Sequence, residues 1–220
     1  MKKIENISFC IRSTGEREQY LKRAICSVHL QEIDVPYEVL VCGWTELDQE
    51  KFKFRLIEDK EDALNSRLGK MLDKLAENAK SELLVFIDDD TELLHYWWHN
   101  VKKLDLDLFD LTCFRMYQLE KERLELYRWY DWADVVPGRS VIKSWDEPAN
   151  KRTYIGGSSL IIKRDVVLKV KYGDLERGED SIFCFKCFEL GYRIRTFPFM
   201  KFATAVHYLA EEGRHKYVKE

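Results

Sequence analysis

The feature that most constrains this chain is the stretch "LLVFIDDD" at residues 83–90, in which five apolar residues are followed directly by three aspartates. An uninterrupted apolar run of this length is typical of a strand that is covered on both faces. Three adjacent carboxylates repel one another, and folding alone does not require them at one point. The stretch therefore predicts a buried strand that ends where positive charge is bound.

The remainder of the first half alternates between strands and helices. Apolar runs predict strands at residues 7–11, 37–43 and 54–58. Apolar residues at helical spacing predict helices at about 16–31 and 64–79. Strands and helices that alternate in this way imply an α/β fold, in which helices flank a mostly parallel central sheet.

The second half predicts a more mixed arrangement. Helical spacing predicts helices at about 92–104 and 179–190, and Asp165 is placed to cap a short helix that follows the strand in "YIGGSSLIIKR". The segments "LTCFRMYQ" and "LELYRWYDW" predict a small antiparallel strand pair. Two late strands are predicted in "RIRTFPF" and "ATAVHYL".

Composition limits the classes of function. The 220 residues suit one domain, and a net charge of −3 argues against a nucleic-acid partner, which would need a basic surface. No uncharged apolar run reaches about 18 residues, so no transmembrane segment is expected. Six scattered cysteines without a secretion signal indicate reduced thiols and a cytoplasmic location. Cys184 and Cys187 have the spacing of zinc ligands but lack a second pair, and the same spacing fits one face of a helix.

The aspartate triplet has a chemical interpretation and a structural one. Successive residues of a strand point to opposite sides, so Asp88 and Asp90 share a side and Asp89 does not. Two carboxylates on one side can hold Mg²⁺ or Mn²⁺, which in turn can bridge the phosphates of a substrate. In the structural interpretation, Asp90 caps a following helix and the other two aspartates are solvated. The triplet alone leaves both interpretations open.

Four motifs, taken in order, resemble the large glycosyltransferase family 2, whose members have the GT-A fold. "CIRSTGEREQYLKRAICSVHLQ" is similar to the family's opening strand, turn and helix, and "KSELLVFIDDD" is similar to its strand that ends in D-x-D. "YIGGSSLIIKRD" and "LERGEDSIFCFKCFELGYRI" resemble its glycine-rich strand and its "GED" helix. The matches leave out about residues 105–150. The resemblance implies a single, Rossmann-like GT-A domain over residues 1–220.

The resemblance further implies an inverting, metal-dependent glycosyltransferase. Asp88, Asp90 and His207 would hold the cofactor, Mn²⁺ or Mg²⁺, although a lone histidine on a strand is also often a packed residue. Asp180 would be the base that takes the proton of the acceptor hydroxyl in a single displacement, and Glu179 would bind the acceptor or the donor sugar. Without the resemblance, Glu179 and Asp180 are equally well explained as acidic residues in the first turn of a helix.

By the same resemblance, residues 1–104 would bind the donor, and residues 105–220 would bind the acceptor and supply a C-terminal flap. The candidate donor contacts are Ser13, Thr14, Glu46, Lys70, Asp73 and Asp89, with Arg214 and Lys216 in the flap. Lys70 and Asp73 also fit a solvated ion pair one helical turn apart, and the flap also fits a frayed terminus. Where the family usually has Asp-Asp after its second strand, this chain has Gly43 and Trp44. The resemblance implies a UDP-sugar as the donor, and this departure leaves a GDP-sugar as the alternative.

The acceptor is expected to approach the backbone at Gly156 and Gly157, because glycine permits close contact. Trp129, Trp132 and Trp145 are candidates to pack on sugar rings, although a core role explains each of them as well. The acceptor would be a saccharide, a lipid-linked group or a protein. Two alternatives to glycosyl transfer are open: a nucleotidyltransferase, for which "RSTGER" is a poor glycine-rich loop, and a non-catalytic module that binds sugar nucleotides.

Overall fold

The computed structural model describes residues 2–120, 123–126, 131–174 and 178–208. The strands in these ranges are β1 Ile7–Ser13, β2 Tyr37–Gly43, β3 Arg55–Glu58, β4 Leu83–Asp88, β5 Thr91–Leu93, β6 Leu111–Cys113, β7 Arg115–Glu120, β8 Arg123–Leu126, β9 Ala133–Val136, β10 Arg139–Ile142, β11 Thr153–Tyr154, β12 Leu160–Lys163 and β13 Ala203–Tyr208. The helices are α1 Glu18–His29, α2 Gln49–Phe52, α3 Lys60–Leu64, α4 Leu68–Asn78, α5 Trp97–Val101, α6 Arg164–Val170 and α7 Glu179–Glu189, with a 3₁₀ turn at Pro198–Met200.

The central sheet has six strands in the order β3-β2-β1-β4-β12-β6. The first four are parallel, and β12 runs antiparallel to both β4 and β6. The α/β fold with a mostly parallel sheet is thus confirmed. Because β1, β2 and β4 run in the same direction, their carboxyl ends lie at the same edge of the sheet.

The apolar run of β4 lies in the middle of the core. All residues at 83–87 are at most 1% exposed, because β4 is paired on both sides and covered on both faces. α4 packs on β1 and β2 through the apolar face that Met71, Leu72 and Leu75 form. At the carboxyl edge polar side chains replace apolar ones, and among them Asp89 and Asp90 are still buried. The fold therefore presents the aspartate triplet at the edge where ligands of open α/β sheets bind.

Two smaller sheets belong mainly to the second half of the chain. β10, β9 and β11 form one antiparallel sheet. The other has the order β5-β13-β7-β8, in which β7 and β8 are an antiparallel pair, as the sequence predicts. Residues 111–113, predicted as part of that pair, form β6 of the central sheet instead, and residues 127–130 lie outside the described residues. β13 pairs antiparallel with β5 and parallel with β7, so the end of the described chain returns to the residues that follow the aspartate triplet.

Two predicted helices differ from the structure. The helix predicted at 92–104 is wrong in its first turn, because β5 pairs with β13 and leaves only the short helix α5. Tertiary pairing here overrides the local helical spacing. The helix predicted at 64–79 divides into α3 and α4 around Ser66, whose φ is 53°, and Leu64 is 69% exposed instead of facing the core.

Two further local predictions are wrong. "RIRTFPF" forms a single parallel bridge, between Leu111 and Ile194, and then the 3₁₀ turn, which Pro198 begins. Proline suits the first position of a helical turn because it needs no hydrogen-bond partner there. Asp165 does not cap α6: the cap residue is Lys163, and Asp165 lies in the first turn and pairs with Lys169 at 3.1 Å.

The cysteines follow the structural interpretation of their spacing. All six are free thiols, and Cys184 and Cys187 lie buried on the inner face of α7. In the part of the chain that the structure describes, no helix has the length and apolar character needed to cross a bilayer.

Candidate active site

The three predicted metal ligands lie together at the carboxyl edge of the sheet. Asp88 ends β4, Asp90 occupies the turn to β5, and His207 lies on β13 opposite Thr91. Each of the three offers a ligand atom, and these atoms lie within 4.8 Å of one another. The His207 Nε2 atom is 3.0 Å from Asp90 Oδ1, and the Tyr208 N–H donates to the Asp90 carbonyl oxygen at 2.8 Å. The pairing of β5 with β13 is therefore what brings His207 to the aspartates.

The donor atoms of this cluster suit a divalent cation. Two carboxylates and one imidazole, without a thiolate, favour a hard or borderline ion such as Mn²⁺ or Mg²⁺ over a soft one. Asp90 and His207 are buried, and Asp88 keeps 21% of its side chain exposed, so the cluster has one open side. An ion held by Asp88, Asp90 and His207 would face the solvent, and a ligand, from that side.

Asp89 is not a member of this cluster and contacts an arginine from the first strand–helix loop. Arg17, the residue before α1, places its guanidinium against both Asp89 and Asp90, with 3.0 Å between Arg17 Nη2 and Asp89 Oδ1. Burial raises the pKa of Asp89 to about 7, and the neighbouring charge of Arg17 opposes this rise. Part of the positive charge that the triplet requires therefore comes from the protein.

A second arginine joins the triplet to α7. Arg12 lies next to Asp88 in the register of β1 and β4, and its Nε atom donates to Asp88 Oδ1 at 2.7 Å. Its Nη1 atom donates to Glu179 Oε1 at 2.8 Å. Burial alone would lower the pKa of Arg12, but the carboxylates of Asp88, Asp180 and Glu179 raise it well above its usual value. Arg12 therefore stays charged and connects two strongly acidic segments.

The predicted base lies in the first turn of α7, beside the glycine pair. Asp180 Oδ2 accepts a hydrogen bond from the Gly157 N–H at 2.9 Å. A Cβ atom at Gly157 would lie 2.8 Å from Asp180 Oδ1, so only glycine leaves room for the carboxylate in this position. Burial raises the pKa of Asp180 to about 7, Glu179 adds to the rise and Arg12 opposes it.

The predicted nucleoside contacts lie at the ends of β1 and β2. Ser13 is buried, and its Oγ atom accepts from the Gly15 N–H at 3.2 Å, while Thr14 is half-buried. Gly43 has a φ of 123°, and a Cβ there would lie 1.9 Å from the Ser13 carbonyl oxygen, so the close approach of the two strand ends requires glycine. Trp44 is half-buried against Gly15.

The surroundings of Trp44 include a cation and an exposed acid. The Lys60 ammonium lies 4.8 Å from the centre of one Trp44 ring, within the range of a cation–π contact. Glu46, two residues further along, is exposed to solvent.

Lys70 and Asp73 both contact the loop that leads to α7, and not each other as an ion pair. Lys70 Nζ lies 2.8 Å from Asp174 Oδ2. The Asp73 carboxylate accepts the N–H groups of Tyr172 and Gly173 at 2.9 and 3.0 Å. These contacts anchor residues 172–174 to α4.

The remaining candidates are in the core or outside the described residues. Trp132 and Trp145 are 1% and 7% exposed, and the Trp145 indole donates to the Phe197 carbonyl oxygen at 2.8 Å, so both tryptophans act as core residues. Trp129, Arg214 and Lys216 lie outside the described residues.

Comparison with known proteins identifies the fold. No family model and no curated protein matches the sequence. Among solved structures, S. aureus TarS 1–349 in complex with UDP-GlcNAc is similar over 98% of this chain and 62% of its own, with a TM-score of 0.66 at 16% identity. GalNAc-T7 with UDP, GalNAc and Mn²⁺ is similar over 96% of this chain and 44% of its own, with a TM-score of 0.72 at 14% identity. The chain has the GT-A fold.

The similarity to these GT-A structures covers nearly all of this chain but only part of theirs. The chain spans about three fifths of TarS 1–349 and less than half of GalNAc-T7. At 14% and 16% identity, the likeness establishes the fold, and activity has to be argued from the site.

Arg12 and Arg17 are the site residues of this GT-A domain that sequence reasoning missed. The signal for Arg12 was available, since it is the one charged residue in the otherwise uncharged strand "ISFCIRS", and a buried charge needs a partner. Arg17 carried no comparable signal, because it lies among other charged residues in "GEREQ".

Proposed function

We propose that this protein transfers a glycosyl group from a nucleoside-diphosphate sugar to an acceptor hydroxyl. The observation that carries the proposal is the meeting, at one edge of a GT-A sheet, of a cation-binding cluster with the base candidate of α7. Asp88 belongs to the cluster, Arg12 joins it to Glu179, and Glu179 is followed directly by Asp180. The proposed metal ligands are thus connected, through Arg12 and Glu179, to the proposed base.

On the donor side, Asp88, Asp90 and His207 would hold Mn²⁺ or Mg²⁺. When bound, such an ion would neutralise charge on the departing nucleoside diphosphate. Ser13 and Thr14 would contact the nucleoside at the end of β1. The other proposed donor contacts are Glu46, Lys70, Asp73, Asp89, Arg214 and Lys216. Both solved neighbours contain UDP or a UDP-sugar, which supports a UDP-sugar donor here, with a GDP-sugar as the alternative.

On the acceptor side, Asp180 would take the proton of the attacking hydroxyl. The Gly157 N–H orients one carboxylate oxygen of Asp180, and a pKa of about 7 suits a base that must gain and lose a proton near neutral pH. Glu179 and the backbone at Gly156 and Gly157 would contact the sugar or the acceptor. A single base on the face opposite the leaving group implies a single displacement with inversion at the anomeric carbon.

A thermal-shift screen tests the donor part of the proposal. UDP-, GDP-, CMP- and dTDP-sugars are added with and without Mn²⁺, and the unfolding midpoint is followed. A ligand at ten times its Kd stabilises by about 1.4 kcal/mol, which corresponds to about 3–6 °C for a domain of this size. We expect a shift of that order with at least one diphosphate sugar, and only when Mn²⁺ is present.

Two variants make the screen specific. Asp90→Ala should abolish the metal-dependent shift, because Asp90 contacts both His207 and the bound ion in the proposed site. Asp165→Ala is the matched control, since it removes an exposed aspartate of α6 that pairs with Lys169 in its own helix. Absence of any shift with every diphosphate sugar, or an equal loss in both variants, would contradict the proposed function.

A further inference from the structure

Arg12 is the more deeply buried of the two arginines in the site. Only 12% of its side chain is exposed, and it projects from a strand whose other residues are uncharged. Removing a guanidinium from water is unfavourable unless good hydrogen bonds replace its hydration. Arg12 obtains them from Asp88 and Glu179, which are 76 and 167 residues away in sequence.

The two partners of Arg12 belong to different functional halves. Asp88 is a member of the cation-binding cluster at the end of β4, while Glu179 opens α7. The carboxylate next along α7, Asp180, holds the Gly157 amide. The Arg12 Nη2 atom also reaches this glycine, since it lies 3.4 Å from the position that a Cβ of Gly157 would take. The planar guanidinium of Arg12 therefore contacts both the cation-binding cluster, through Asp88, and the start of α7, through Glu179.

We propose that Arg12 is a positioning residue that couples ion binding at Asp88 to the placement of Asp180 against Gly157. The inference rests on the proposed function in one respect, namely that Asp88 is a metal ligand. The guanidinium fixes the direction of the Asp88 carboxylate with one nitrogen and the start of α7 with another. When Asp88 is drawn into the coordination of an ion, Arg12 transmits the constraint to Glu179 and so to its neighbour.

A role in charge balance and a role in positioning lead to opposite expectations. If Arg12 only balanced charge, Arg12→Lys would behave like the wild type, and Arg12→Met would bind cations more tightly because a repelling charge is gone. If Arg12 positions Asp88, both variants lose affinity, because an ammonium cannot hold two carboxylates in the geometry of a planar fork. Groups that orient metal ligands typically contribute about 10–100-fold to affinity.

Isothermal titration of Mn²⁺ into the full chain distinguishes the two roles. We expect the Kd for Mn²⁺ to rise about ten-fold or more in both Arg12→Lys and Arg12→Met. Arg55→Met is the matched control, because Arg55 pairs with Glu38 and the Asn78 carbonyl oxygen, away from the Asp88 cluster. Its Kd should stay within about two-fold of the wild type. An unchanged Kd in Arg12→Lys, or tighter binding in Arg12→Met, would overturn the proposal.

The coupling itself is measured without any substrate. Hydrogen exchange of the Gly157 amide, followed by NMR with diamagnetic Mg²⁺, reports how firmly Asp180 holds its bond to that amide. In the wild type we expect saturating Mg²⁺ to slow this exchange about five-fold or more. In Arg12→Lys, and in Glu179→Ala, which removes the other end of the bridge, the effect of Mg²⁺ should fall below about two-fold.

The outcomes separate this inference from the proposed function. If the wild type shows no Mn²⁺ binding that Asp90→Ala removes, the metal site is wrong and the proposed function fails with it. If the wild type binds Mn²⁺ in that way, but the response of Gly157 to Mg²⁺ survives in Arg12→Lys and Glu179→Ala, the coupling alone is refuted.

Discussion

Replacing Gly157 by alanine should lower the free energy of unfolding substantially only when Asp180 is present. The φ of Gly157 lies outside the left-handed region, so the backbone tolerates alanine and only space decides. The new Cβ would lie 2.8 Å from Asp180 Oδ1 and 3.3 Å from Oδ2, both below ordinary contact. Asp180 must turn away and lose its bond to the Gly157 amide, which has a length of 2.9 Å. A hydrogen bond to a charged group contributes about 1.5–3 kcal/mol, so Gly157→Ala should cost about 2–3 kcal/mol.

A double-mutant cycle with Asp180→Ala isolates this effect. In the Asp180→Ala background the clashing oxygens are absent, and Gly157→Ala should cost less than about 0.5 kcal/mol. The nearest remaining atom is Arg12 Nη2 at 3.4 Å, which requires only a small adjustment. Urea unfolding at pH 8, where Asp180 is ionised, measures the four free energies of unfolding. We expect an interaction energy of about 2 kcal/mol between the two sites. If Gly157→Ala cost the same in both backgrounds, to within about 0.5 kcal/mol, the steric argument would be refuted.

Three further predictions concern titration and thiol reactivity. Asp180→Asn should retain donor binding in the thermal-shift assay while transfer falls about 100-fold or more. In the wild type kcat/KM should decrease as the pH falls below about 7, because the raised pKa leaves Asp180 protonated there. Full activity of Asp180→Asn would show that Asp180 is not the base. Burial raises the pKa of Asp131 to about 7. Its contribution to stability therefore decreases as the pH rises from about 4 to 7, because the folded state keeps a proton that the unfolded state has released. Asp131→Asn should flatten the urea-unfolding profile over that range, and an unchanged slope would show that another group titrates. Finally, Cys26 is the cysteine that is not buried, so the native protein should react rapidly with about one equivalent of a thiol reagent, and prompt reaction of several thiols would contradict the buried positions.

The parts of the fold that depend on local pattern could be predicted from the sequence. The strand that ends in the aspartate triplet, the strand before α1 and the face of α4 follow from runs and spacings of apolar residues, and the structure has them. The first turn of the helix predicted at 92–104 failed for a non-local reason. Residues 91–93 form an edge strand because they pair with β13, which lies more than 100 residues later in the chain. No pattern in the neighbouring sequence predicts that pairing.

The same distinction applies to the site. Asp88, Asp90 and Asp180 were recognisable because carboxylates concentrate in short motifs, and His207 was found through a resemblance and not through its own surroundings. Arg12 escaped notice because its significance comes from register: β1 and β4 are far apart in sequence, and only their pairing sets Arg12 beside Asp88. The sequence around Lys70 and Asp73 suggested an ion pair within one helix, whereas both side chains contact the loop at 172–174.

The charge of the site links its stability to its chemistry. Asp88, Asp89, Asp90, Glu179 and Asp180 face two guanidinium groups, those of Arg12 and Arg17, so full ionisation leaves three negative charges uncompensated. Burial raises the pKa of Asp89 and that of Asp180 to about 7, and the neighbouring carboxylates add to the rise, so protonation relieves part of this excess. A divalent cation offers a second form of relief, and it leaves the carboxylates ionised. In the proposed function, an Asp180 carboxyl group that is protonated without the ion and ionised with it would act as a base only when the ion is bound. The excess of acidic groups, unfavourable for folding, would therefore make acceptor activation in the proposed function depend on ion binding.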